Sequence, residues 1–88
     1  MLDAAQIRAA RALIGWNQAD LARHADVGIA TIRRIEGSRD ALSGYLSTAV
    51  KIQNAFEKAG VMFLSADISG GRGVRLAPDN VQRSDKKR

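Results

Sequence analysis

Residues 18–36 read QADLARHADVGIATIRRIE, and this stretch decides the fold. Asn17 stands before it as an N-cap candidate, with Asp20 three residues on as the capping-box partner and Trp16 and Leu21 as a flanking apolar staple. The spacing predicts a helix from Gln18 to about Ala25 that buries Leu21, Ala22 and Ala25. Asp26-Val27-Gly28 is a short break. A second helix then runs from Ile29 to about Glu36 with Ile32 and Ile35 inward. Its opposite side carries Ala30, Arg33 and Arg34, with Ile29 at the edge, and holds no acid. A slim, basic helix face of this kind fits the major groove of B-DNA. Arg33 can fork onto guanine O6 and N7, and an exposed Ile29 and Ala30 can touch thymine methyls.

The flanks follow the same grammar. Upstream, residues 3–14 read as a helix with Asp3 as N-cap and Gln6 as capping-box partner, and Leu2 and Ile7 form a staple. Ile7, Ala10, Leu13 and Ile14 give its apolar stripe, and Gly15 stops it. Downstream, Gly37-Ser38-Arg39-Asp40 is a loop. A longer helix follows, from about Gly44 or Ser47 to Ala59, with Leu46, Ala49, Val50, Ile52 (in part), Ala55 and Phe56 as its apolar set and Gly60 as its stop. The period then changes. Val61–Leu64 and Gly73–Leu76 are strand candidates, and Gly70-Gly71 between them signals a turn. Two strands alone are marginal in water, so this hairpin must pack on the helices or on the edge of a second copy's hairpin.

The chain of 88 residues is long enough for one domain. It divides into a helical region 1–60, with the helix pair at 18–36, a β-hairpin appendage 61–76 that is a candidate dimerisation element, and a flexible basic tail 77–88. The formal charge is +5, of which residues 81–88 carry +3. That tail reads either as a solubilising, disordered end or as an arm that adds phosphate contacts. The absence of cysteine excludes disulfides, a thiol nucleophile and thiolate metal sites, and a single histidine excludes a His-rich metal site. No apolar run approaches the ~20 residues that cross a bilayer, and no signal segment opens the chain. A cytoplasmic protein without a cofactor or a membrane partner is expected.

Residues 6–37 resemble the helix-turn-helix of the phage-repressor-like (XRE, Cro-type) DNA-binding family. Gln18, Leu21-Ala22, Val27, Thr31-Ile32 and Arg34-Ile35-Glu36-Gly37 carry the resemblance. It implies a helical domain that acts as a homodimer on double-stranded DNA and reads palindromic operators with its second motif helix; the fold expected here is mainly α, four helices followed by the β-hairpin and a flexible basic tail. The expected function is that of a sequence-specific transcriptional regulator, a repressor acting by occlusion. Base readout is implied for Ile29, Ala30 and Arg33. Phosphate contacts are implied for Gln18, Thr31, Arg34, Ser38 and Arg39, with Gln18 also bracing the second motif helix. Arg11 and Glu36 hold positions that pair as an inner salt bridge. Two positions depart from the family pattern. Asp26 replaces the usual turn glycine, at a small cost because Asp tolerates positive φ. Gly28 replaces the usual serine cap and caps less well. The family's fifth helix is missing, and the hairpin stands in its place.

Several residues have plainer readings. His24 is a surface or satisfied histidine, and Trp16 a core staple. Gly70–Gly73 lacks the Gly-Lys-Ser/Thr ending of a phosphate loop. No nucleophile–base pair is present, which argues against an enzyme. The alternative class is a protein-interaction module, such as the autoregulating antitoxin of a toxin–antitoxin pair, with the hairpin and tail bound to a protein partner.

Overall fold

The computed structural model describes residues 2–39 and 41–78. Asp40 and residues 79–88, which hold most of the expected basic tail, lie outside the described residues. The chain forms α1 (Ala4–Ile14), α2 (Gln18–Ala25), α3 (Ile29–Glu36), a short 3-10 turn (Ala41–Gly44), α4 (Leu46–Lys58), β1 (Val61–Leu64) and β2 (Gly73–Leu76). It is thus mainly helical, with a small two-stranded antiparallel sheet.

The first two helices start and stop where local chemistry says they should. Asp3 caps α1: its carboxylate accepts from Gln6 N at 2.9 Å while Gln6 Oε1 accepts from Asp3 N at 2.8 Å. Asn17 and Asp20 close the same reciprocal box on α2. Gly15 ends α1 at φ +73°, a left-handed conformation that costs glycine little. The 3-10 turn between α3 and α4 has no counterpart in the sequence reading, and it buries Leu42.

One core joins all of these elements. Ile7 of α1, Leu21 of α2, Ile32 and Ile35 of α3, Ile52 and Phe56 of α4 and Val61 of β1 are fully buried. Burying a side chain of this size is worth roughly 1.5–3 kcal/mol. Trp16, half-buried, stacks on Phe56 at 5.4 Å and on His24 at 4.3 Å between ring centroids. The apolar stripe of α4 is rotated from its expected place. Ile52 is wholly buried, whereas Leu46 and Val50 are 61% and 54% exposed. The helix turns Ala49, Ile52, Ala55 and Phe56 inward, and at ~100° per residue Val50 falls on the opposite side. Leu13 of α1 is likewise exposed at the edge of its stripe.

In the hairpin, Val61 pairs with Leu76, Met62 with Arg75, Phe63 with Val74 and Leu64 with Gly73. Facing pairs share a side of the ribbon, and Val61, Phe63 and Val74 meet the core. The ribbon continues past the strands. Asp67 N donates to Gly70 O at 2.8 Å, so the tip is Ile68-Ser69 rather than Gly70-Gly71, and Asp67 Oδ1 accepts from Ser69 N at 2.8 Å. The hairpin packs on α1 and α4. A buried side chain fixes it there. Gln6 Nε2 donates to Gly73 O at 2.9 Å and to Leu64 O at 3.2 Å.

Candidate nucleic-acid interface

The connection between α2 and α3 is tight because a single residue takes a left-handed conformation. Asp26 has φ +59° and ψ +50°, and the N–H of Val27 donates back to Ala22 O at 3.0 Å. Gly28 then caps α3 with extended backbone (φ −63°) and no side-chain hydrogen bond. Its carbonyl accepts from Thr31 N at 3.1 Å and Ile32 N at 3.2 Å, and, glycine having no side chain, the amides of Ile29 and Ala30 have no side-chain cap.

With Ile32, Ile35 and Glu36 buried, α3 presents Ala30, Arg33 and Arg34 to solvent. Thr31 is half-buried beside them, and Ser38 and Arg39 are exposed just past the helix. Ile29 departs from its expected role as a bare outward residue. It is half-buried and packed against the core, because it stands at the boundary between the two faces. Arg34 is exposed, and its Nη1 donates to the Tyr45 hydroxyl at 2.8 Å. This tethers it to the residue that precedes α4. No local pattern singles out Tyr45, whose partner stands 11 positions away.

Glu36 fixes the pose of α3. Its side chain is only 4% exposed and takes a two-pronged grip from Arg11, with Nη2 to Oε1 at 2.7 Å and Nε to Oε2 at 2.8 Å. Gln18 Nε2 adds a third donor to Oε1 at 3.2 Å. The carboxylate therefore ties α1, α2 and α3 at one point. Its hydrogen bond with Arg11 raises the Arg11 pKa above its ordinary value, so the guanidinium stays charged. Sequence reading missed a second arginine at this point. Arg8 Nη1 donates to the Glu36 backbone carbonyl at 2.7 Å, at the C-terminal end of α3 where a cation is favoured.

At the N-terminus of α2, Asp20 has a pKa below the ordinary carboxylate value. The backbone hydrogen bond from Asn17 is the main cause, and the nearby Arg23 adds to it. His24 lies exposed on the Trp16 ring, away from the outer face of α3. Comparison of the chain with protein-family models, curated proteins and solved structures returns no match. Among the described residues, no helix is long and apolar enough to cross a membrane.

Proposed function

We propose that this chain is a sequence-specific double-stranded DNA-binding regulator that lays α3 in the major groove, with the helix-turn-helix formed by α2 and α3. The observation that carries the reading is the division of α3. Its inner side is buried and locked by Glu36, and its outer side offers Ala30, Arg33 and Arg34 with no acid. Arg33 then reads a base edge and Ala30 lets the helix axis approach. Gln18, Thr31, Arg34, Ser38 and Arg39 hold the flanking phosphates. The eight residues of α3 cover roughly 12 Å of axis, about three to four base pairs. One copy reads too little sequence for a unique site, so we propose a homodimer on a palindrome, repressing by occlusion.

Selection of bound duplexes from a random pool at physiological salt tests the reading. Enrichment of a palindrome is the expected result, with half-sites about one helical turn apart. On the enriched site, Arg33→Ala should cost about 1–3 kcal/mol and relax the preference at one base pair, while Arg39→Ala should weaken all sequences alike. Bulk, salt-sensitive binding without enrichment would instead favour the second reading, a protein-interaction module of the autoregulating antitoxin type. The exposed Ile68 and Leu76 of the hairpin support that alternative.

A further inference from the structure

A shallow cleft of about 430 Å3 lies where the first turn of α1 meets the end of α3, lined by Asp3, Ala4, Ala5, Arg8 and the Glu36–Arg39 segment. Two of its lining residues, Ser38 and Arg39, already belong to the proposed phosphate-contacting edge, so the cleft continues that edge around the domain. Arg8 is exposed and uses one N–H on the Glu36 carbonyl at 2.7 Å. From the hairpin, Arg72 reaches the rim and bonds Asp3 at 3.0 Å. Both lining carboxylates are engaged already: Glu36 holds Arg11 and Gln18, and Asp3 holds Arg72 and the Gln6 amide. Arg8 and Arg39 carry the charge that these pairs leave over, and an incoming anion meets it, while Arg72 adds its own by exchanging Asp3 for the anion.

We infer that this cleft seats a backbone phosphate of the bound duplex, with Arg8 and Arg72 as its ligands, so that the hairpin acts as a wing of the DNA interface. The inference rests on the DNA-binding reading. It extends that reading from the α2–α3 unit to α1 and the hairpin loop just before β2, which the resemblance assigns no contact. Arg8 is poised by the end of α3, so its position is linked to that of the groove-facing helix. Arg72 is held by an exposed ion pair, which binds its partners weakly and exchanges readily for phosphate. Neither arginine lies on the outer face of α3, so both strengthen binding without reading sequence.

Binding isotherms on the selected duplex and on a scrambled duplex, from about 0.05 to 0.2 M salt, test this. Arg8→Gln and Arg72→Gln should each lower the slope of log K against log salt by about 0.9. Each should weaken both duplexes by the same factor, roughly three- to tenfold at ~0.15 M salt, with the ranking of sequences unchanged. Arg8→Lys and Arg72→Lys keep the charge and the slope, which guards against a variant that merely misfolds. Asp3→Asn removes the ion pair but not Arg72, and it should leave the slope intact or steeper. Wild-type slopes in both Gln variants, beside a lost base preference in Arg33→Ala, would overturn the wing and leave the major-groove reading standing. A wild-type chain that binds neither duplex would overturn both.

Discussion

Two buried polar side chains hold this small domain together, and they do so differently. Glu36 is charged and ties three helices through Arg11, Gln18 and its own backbone carbonyl. Gln6 is neutral and ties the hairpin to α1 through Leu64 O and Gly73 O while completing the cap at Asp3. Both are more than nine-tenths buried. A buried charge is tolerable only while every partner is in place, because an orphaned ion in the interior costs several kcal/mol. A buried amide that loses its partners costs about 1–3 kcal/mol. The helix that carries the proposed readout is thus held by the less forgiving of the two anchors, and the hairpin by the milder one.

The largest effect should come from removing the charged anchor. Glu36→Ala leaves Arg11 unpaired near the core and should destabilise the fold by about 3 kcal/mol, measured by urea unfolding. Binding by the fraction that stays folded should suffer less than stability does, because Glu36 does not face outward. A loss near zero would mean that packing, not the ion pair, sets the pose of α3. Gln6→Ala should cost less, about 1–2 kcal/mol, and its effect should be local. Hydrogen exchange should speed up in residues 61–76 before it does in α2 and α3. Uniform acceleration would erase the distinction between the anchors.

Acid should reach the Gln6 side as well. The backbone N–H of Gln6, aided by Arg72, holds the Asp3 carboxyl below its ordinary pKa. A depressed folded-state pKa adds stability above the unfolded-state value, and that contribution is lost as pH falls through the folded-state one. Melting temperature should therefore be flat from neutral pH down to about 5 and fall below about 4. The drop should shrink in Asp3→Asn. The smallest change concerns the cap of α3. Gly28 has φ −63° and open space where a Cβ would stand, so Gly28→Ser fits and supplies the missing cap. A gain of a few tenths of a kcal/mol is expected, without change at the hairpin.

How much of this was legible in the sequence depended on range. The caps at Asp3, Asn17 and Gly15, the left-handed turn at Asp26 and the bounds of α2 and α3 are set by residues within four positions of each other. Such signals survive in a single sequence. The strand positions were readable from the change of period, but the hairpin's tip and its attachment were not. Nothing local says that the capping glutamine of α1 will also meet two strand carbonyls. The stripe of α4 misled because Leu46 and Val50 are apolar yet lie on the side away from α2 and β1. Composition cannot tell which of two apolar sides finds a partner. The Arg11–Glu36 pair came from family resemblance, and the geometry places the two side chains together. Arg8, Tyr45 and Arg72 went unnoticed because each matters only through a partner at least 11 positions away.

The two anchors also differ in when the chain can close them. Arg11 and Glu36 are 25 residues apart, whereas Gln6 and Gly73 are 67 apart. Closing the longer loop costs about 0.9 kcal/mol more in chain entropy. On a ribosome, the three helices around Glu36 can assemble while the strands are still being made. During that interval Gln6 remains in water and the side of α1 that will receive the hairpin is uncovered. The hairpin follows the four helices along the chain, so its docking can seal a helical unit that has already assembled.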